Sequence, residues 1–121
     1  MYNNAYKPQD SYKLQKNSSD NKKCLLKFSD CDKKFPMYKL SSEEIKAFVN
    51  YAKMVESMEW EKIIVHTGLN YELLDHLTPP SNISRDKKLY SMRMSQKSRI
   101  IGYRQDEFFN IVWFDKNHKT C

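Results

Sequence analysis

The chain has 121 residues, a formal net charge of +6, 40% hydrophobic residues and 13% aromatic residues. These values predict one small domain with a modest core, and the basic balance favours an anionic partner such as nucleic acid. Three cysteines without a CxxC pair argue against a disulfide or zinc framework, and no run of apolar residues is long enough to suggest a membrane span or a secretion signal. We therefore expect a cytoplasmic protein without a metal or cofactor and without a membrane partner.

Residues 1–22 are predicted to form a flexible N-terminal tail. This stretch is rich in Asn, Lys, Ser and Tyr and contains almost no aliphatic residues, so it cannot bury enough surface to offset the entropy of ordering. Residues 23–121 are expected to form a single domain. That domain begins with a short strand candidate at residues 23–28.

Two helices are predicted next. Residues 41–44 read Ser-Ser-Glu-Glu, which is the pattern of a helix-capping box. The helix after it should cover residues 42–56, because apolar residues then recur at helical spacing: Ile45, Phe48, Val49, Ala52 and Val55. A second helix is expected from about Met58 to a stop near Gly68, and residues 71–77 are predicted to add another helical turn before two prolines.

The C-terminal part from residue 88 to residue 118 predicts three strands joined by two tight turns. In LYSMRM, apolar and polar residues alternate, with Tyr90, Met92 and Met94 on one face. The turns QKS and QDE separate this run from RIIGYR and FFNIVWF, which are rich in aromatic and β-branched residues.

The element order β-α-α-β-β-β predicts an α+β fold, with the two helices of the N-terminal half packed on one face of a small antiparallel-rich sheet. The other sheet face is then free for function. Charge is segregated along the chain. Residues 41–77 contain seven acidic and three basic side chains, whereas residues 85–121 contain four acidic and nine basic ones. The sheet half is therefore the expected surface for a polyanion.

The runs LYSMRMSQKSRIIGYR and FFNIVWFDKNHK resemble the C-terminal half of the RelE/ParE/HigB toxin superfamily of type II toxin–antitoxin systems. The resemblance is good over residues 69–119, and the order β-α-α-β-β-β is also that of the family's RelE-like fold. It implies a metal-independent endoribonuclease that cleaves mRNA on the ribosome and so inhibits translation. The implied partners are mRNA, the ribosome and a cognate antitoxin protein, which is expected to be acidic and partly disordered.

The same resemblance implies the site residues. Arg99 stands where the family has a phosphate-contacting arginine, His118 where some members have a catalytic histidine, and Lys116 lies in the same terminal segment. Arginine suits a phosphate because its planar fork binds two oxygens, and histidine suits proton transfer because its ordinary pKa is near neutrality. Substrate binding is expected from four further residues, and no metal ligand is expected: Arg93, Asp115, Lys119 and Tyr103.

Several alternatives remain open at the level of the sequence. The tyrosine that follows the histidine in some members is replaced by Lys119, and an acid–base residue from the helical half would have to be Asp75 or His76. Whether Arg93 and Arg99 share a sheet face depends on the strand register. A ParE-like toxin that inhibits DNA gyrase without cleavage, or a non-catalytic nucleic-acid-binding module, would show the same general pattern.

Overall fold

The computed structural model describes residues 18–33 and 37–116. It contains a five-stranded mixed sheet and two helices, which confirms the α+β class. The elements follow in chain order: β1 (Leu25–Lys27), α1 (Ser42–Glu56), α2 (Trp60–Val65), β2 (Glu72–Leu73), β3 (Tyr90–Arg93), β4 (Arg99–Gln105) and β5 (Phe108–Asp115), with a single 3₁₀ turn at Met37–Lys39. The strand order across the sheet is β1-β5-β4-β3-β2, in which β1 runs parallel to β5 and every other pair is antiparallel.

Helix α1 begins as its sequence predicts. The Ser41 hydroxyl accepts a hydrogen bond from the Glu44 backbone N–H at 3.2 Å, and the Glu44 carboxylate accepts one from the Ser41 N–H at 2.7 Å. This reciprocal pair satisfies two amides that have no partner inside the helix. The predicted bounds of α1 are therefore confirmed.

The buried face of α1 differs from the prediction. Phe48, Tyr51 and Val55 are buried, whereas Ile45 and Val49 are exposed by 40% and 43%. With about 100° of rotation per residue, Phe48, Tyr51 and Val55 fall on one side of the helix. Ile45 and Val49 lie further round, on the flank of the contact with the sheet. The apolar stripe of α1 is thus wider than the surface that the sheet covers.

The helical turn predicted for residues 71–77 is wrong. Glu72 and Leu73 instead form β2, where they pair antiparallel with Ser91 and Tyr90 of β3. The edge of β3 offers this segment backbone hydrogen bonds, and the Leu74 N–H also donates to the Leu89 carbonyl at 2.8 Å. The second helix is also shorter than expected, since α2 ends at Val65.

The sheet buries residues on both faces. Its first face packs against both helices, and the predicted alternation of β3 is confirmed there because Met92 and Met94 are buried in that core and Tyr90 packs against it. The expectation that the opposite face is free for function is wrong over much of its area. Apolar residues of the 74–89 segment cover that face in a second core: Leu74, Leu77, Ile83 and Leu89 on the segment, and Ile101, Tyr103, Val112 and Trp113 on the sheet.

The packed part of the chain begins before residue 23. Ser19 and Asp20 are buried, the Trp60 backbone N–H donates to the Lys22 carbonyl at 3.0 Å, and the Glu61 N–H donates to the Asp20 carbonyl at 2.9 Å. These bonds occupy free amides in the first turn of α2. Within residues 18–33 and 37–116, no helix is long and apolar enough to cross a membrane.

Candidate functional site

Three of the predicted site residues form one row across the sheet. In the strand register, Arg93 of β3 is the Cα partner of Arg99 of β4, and Arg99 is the partner of Asp115 of β5. Side chains of directly opposed residues leave the sheet on the same face. The register therefore places both arginines on the same face, with the carboxylate of Asp115 beside Arg99.

Arg99 is buried and forms hydrogen bonds with the β3–β4 turn. Its side chain is 7% exposed, and its Nη1 donates to the Ser95 carbonyl at 3.1 Å and to the Ser98 carbonyl at 3.0 Å. Two backbone acceptors from one turn thus occupy one nitrogen of the guanidinium. Arg93, at the same level of the sheet, is exposed. Of the two arginines, Arg93 is the one accessible to a large ligand.

Lys116 lies where β5 ends beside the start of α1. Its Nζ donates to the Lys39 carbonyl at 3.3 Å and lies 3.8 Å from the Glu44 carboxylate, while its side chain remains 41% exposed. The Ser98 hydroxyl donates to the Lys116 carbonyl at 2.9 Å, which ties the end of β5 to the β3–β4 turn. The two predicted site residues that follow Lys116 in the chain, His118 and Lys119, lie outside the described residues.

Tyr103 is not part of this neighbourhood. It belongs to the second core, its hydroxyl donates to the Asp30 carboxylate, and the Lys87 ammonium lies 5.7 Å from its ring centroid. Burial, followed by the hydrogen bond to Asp30, raises the pKa of Tyr103 to about 12. Tyr103 is four residues along β4 from Arg99, about 13 Å for extended chain. The structure therefore gives Tyr103 a packing role and does not bring it to Arg93 or Lys116.

A groove runs between α1 and the β3–β4 turn, and we call it the α1 groove. It consists of two adjoining concave regions of about 500 and 480 Å³ that share Ala47, Ser95 and Gln96. Lys97 and Lys116 line one end together with Glu43 and Glu44, and Arg93 and His66 line the other end. Three cationic residues and a histidine thus border the two regions. Arg93 does so from the end of β3, where the strand alternation directs its side chain to the face opposite the helices.

His66 is fixed at its end of the groove. It is the C-cap of α2, and its Nδ1 accepts a hydrogen bond from the Leu69 N–H at 3.1 Å. An Nδ1 that accepts from an amide carries no proton, so this bond assigns the tautomer in which Nε2 carries it. A Cβ at Gly68 would lie 2.9 Å from the imidazole Cε1, so the absence of a side chain there gives His66 its space.

His66 and Lys97 are groove residues that were not predicted. His66 has no cysteine or acidic partner at metal-ligand spacing in the sequence, and it is the C-cap of α2. Only the fold brings it near Arg93, 27 positions later. The two candidates for a base from the helical half, Asp75 and His76, lie after β2, and neither lines the α1 groove.

The acidic residues of the groove are partly occupied. The Glu44 carboxylate already holds the Ser41 amide and faces Lys116. Lys97 and Lys116 are matched in charge by Glu43 and Glu44 at one end, so the excess positive charge of the groove comes from Arg93 at the other end. Among the described residues, no three His, Cys, Asp or Glu side chains are arranged to hold a metal ion.

Comparisons with protein-family models, with curated proteins and with solved structures gave no match for this chain. Its function must therefore be inferred from its own residues and their geometry.

Proposed function

We propose that this chain is the toxin of a type II toxin–antitoxin pair and acts as a metal-independent endoribonuclease that cleaves mRNA on the ribosome. The single observation that supports it best is the α1 groove, which has Arg93 and His66 at one end and Lys97 and Lys116 at the other. The proposal includes a RelE-like topology, with β1, α1, α2, β3, β4 and β5 as the β-α-α-β-β-β series and the two-residue β2 as an addition at the sheet edge.

The reaction requires three things of the protein. The attacking 2′-hydroxyl must lose its proton, the charge that develops on the phosphate must be stabilised, and the leaving 5′-oxygen must gain a proton. Arg93 is exposed and can offer both terminal nitrogens of its fork to a phosphate. We assign it the phosphate contact that the family resemblance gives to Arg99, because the Arg99 side chain is buried and bonded to the β3–β4 turn.

The proton-transfer groups in this proposal are His118, assigned from the family resemblance, and His66. A histidine can give or take a proton near neutral pH, which neither Lys97 nor Arg93 does readily. Lys116, two residues before His118 in the sequence, adds positive charge near the end of β5. Lys119 and Asp115 are proposed to assist binding, although Asp115 is only 2% exposed and acts most directly by facing Arg99.

The test is primer extension on a reporter transcript with and without translating ribosomes. We expect wild-type protein to cut the transcript only with ribosomes, and His118→Gln to cut about 10²- to 10⁴-fold more slowly. Arg93→Ala should lose both binding and cleavage. Lys27→Ala removes an exposed cation on β1, at the sheet edge away from β3, and should behave as wild type. Full cleavage by Arg93→Ala would remove the α1 groove from the mechanism.

A ParE-like inhibitor of DNA gyrase is the second candidate, and the burial of Arg99 favours it. An inhibitor needs a binding surface but no proton-transfer group, so the burial of the predicted catalytic residue Arg99 does not weaken this candidate. A gyrase supercoiling assay run beside primer extension separates the two. Intact transcripts with blocked supercoiling would establish the inhibitor, whereas binding of nucleic acid without either effect would leave a non-catalytic binding module.

The proposed antitoxin should be acidic and should cover the α1 groove, because a partner that blocks Arg93, Lys97 and Lys116 prevents access by RNA. We expect a partly disordered segment that folds on contact. A co-expressed acidic partner that restores growth and protects Lys97 and Lys116 from acetylation would support this surface. Restored growth with unchanged acetylation of both lysines would place the antitoxin elsewhere.

A further inference from the structure

A second groove lies at the opposite end of β3 from Arg93. It has a volume of about 580 Å³, and the residues that line it include Ile64, Tyr71, Asp86, Lys88, Tyr90 and Arg104. We call it the tyrosine groove. Tyr90 begins β3 and Arg93 ends it, so the two grooves are separated by about 10 Å of extended chain.

Two aromatic rings form a stacked pair at this groove. Tyr71 and Tyr90 are parallel to within 2°, with ring centroids 4.4 Å apart. Tyr71 is held from behind, since its ring meets Trp60 edge-on at 5.6 Å and Phe109 at 6.4 Å. Both tyrosines are half-buried, so part of the pair remains available to a ligand. A stack that is already ordered costs a third ring little to extend.

The groove is also cationic. Lys88 is exposed, and Arg104 and Lys87 line the groove as well, against the single carboxylate of Asp86. The Lys87 ammonium leans toward Tyr103 on the other sheet face, which leaves Lys88 as the main mobile cation here. Positive charge beside flat aromatic rings is the combination that single-stranded nucleic acid recognises, because each nucleotide carries a base and a phosphate.

Arg104 adds a guanidinium to the lining of the groove. Its guanidinium lies 4.3 Å from the Trp60 ring centroid, and its Nη1 is 2.8 Å from the Asp20 carboxylate. Its Nη2 is buried and has no hydrogen-bond partner within the described part of the chain. That nitrogen is inaccessible to a ligand without movement of its neighbours, so Arg104 contributes to the groove by its positive charge.

We propose that the tyrosine groove binds one unpaired nucleotide of an RNA strand whose neighbouring phosphate lies in the α1 groove. The base stacks on the Tyr71–Tyr90 pair, Lys88 holds its phosphate or base oxygens, and Arg104 adds positive charge. The inference rests on the proposed function only for the identity of the ligand as RNA. The stacking itself requires no cleavage, so it is measured by binding alone.

The experiment measures the binding of a labelled single-stranded RNA of about ten nucleotides by fluorescence anisotropy. Its 2′-oxygens are methylated, so it has no attacking hydroxyl and stays intact. Tyr90→Leu should weaken binding by about 5- to 100-fold, whereas Tyr90→Phe keeps the ring and should stay within about twofold. Lys88→Ala should weaken binding and lower the slope of log affinity against log salt by about one.

Two matched control proteins and two ligand variants make the result independent of folding. Tyr38→Leu removes a tyrosine that is 81% exposed in the turn before α1, and Lys27→Ala removes an exposed lysine on β1; neither should change binding. A strand of the same length without bases should bind wild-type protein as weakly as the intact strand binds Tyr90→Leu. The equivalent DNA strand should bind more weakly if the ribose is read, and equally if any single strand is accepted.

Equal affinity of the intact and base-free strands, or of folded Tyr90→Leu and wild type, would overturn the inference. Ribosome-dependent cleavage that persists alongside that result would leave the proposed function standing. Base-dependent binding through Tyr90 without any cleavage would support the nucleotide site and contradict the proposed nuclease function.

Discussion

Replacement of Arg99 by alanine separates a structural arginine from a catalytic one. The Arg99 side chain is 7% exposed and donates two hydrogen bonds to carbonyls of the β3–β4 turn. Hydrogen bonds that involve a charged group contribute about 1.5–3 kcal/mol each, and the desolvation of the guanidinium offsets part of that sum. We therefore expect Arg99→Ala to lower the free energy of unfolding by about 2–4 kcal/mol.

The measurement is equilibrium unfolding in urea, followed by the fluorescence of the buried Trp60 and Trp113. Arg93→Ala is the matched control, because it removes the exposed cross-strand partner of Arg99 and should change the free energy of unfolding by no more than about 0.5 kcal/mol. The expected pattern is loss of stability for Arg99→Ala and loss of RNA binding for Arg93→Ala. An Arg99→Ala protein with an unchanged urea midpoint and abolished RNA binding would refute the structural role.

Three further predictions follow from the packing. Phe48→Ala should lower the free energy of unfolding by about 3–5 kcal/mol, because Phe48 is 6% exposed and its ring centroid lies 5.4 Å from that of Phe114. Val49→Ala should lower it by less than about 1 kcal/mol. Equal losses of the two variants in urea unfolding would contradict the orientation of α1. Gly102→Ala should prevent stable folding, because the new Cβ would lie 2.2 Å from the Asn110 carbonyl oxygen, next to the register shift between β4 and β5 at Ile101 and Gly102. A variant that melts at the same temperature as the wild type would disprove that contact. Burial, and after it the negative charge of Glu56, raises the pKa of Cys24 from 9.0 to about 12. Burial, and after it the hydrogen bond to Asp30, raises the pKa of Tyr103 from 10.0 to about 12. Both groups therefore ionise more readily in the unfolded chain than in the folded one. The contribution of these two groups to stability should therefore be constant below about pH 9 and fall above it, by up to about 1.4 kcal/mol per pH unit for each group. Urea midpoints that do not fall between about pH 8 and pH 10.5 would refute this.

Local features of the chain were predictable from the sequence. The α1 bounds depend on a capping box and a periodicity that lie within the helix itself, and the β4–β5 turn depends on residues 105–107, where Asp106 adopts the left-handed backbone conformation with φ of 57°. Such features involve neighbours in the sequence, so the residues carry the information directly.

Features that depend on distant segments were not predictable. The exposure of Val49 depends on where the sheet lies under α1, and the sequence of α1 does not determine that position. The burial of Arg99 depends on backbone carbonyls of Ser95 and Ser98, which any residue type would supply. The approach of His66 to Arg93, across 27 positions of chain, results from Leu69, whose N–H donates to His66 Nδ1 and whose carbonyl accepts from the Arg93 N–H at 2.7 Å.

The parallel pairing of β1 with β5 has a consequence for how the protein folds. Leu25 pairs with Phe108, so a contact in the sheet spans 83 positions of the chain. Strand β5 also lies between β1 and β4, and without it the sheet would be divided in two. Contacts between distant positions require a large loop to close first, which slows folding. A chain still emerging from the ribosome cannot join β1 to the rest of the sheet until β5 has been synthesised.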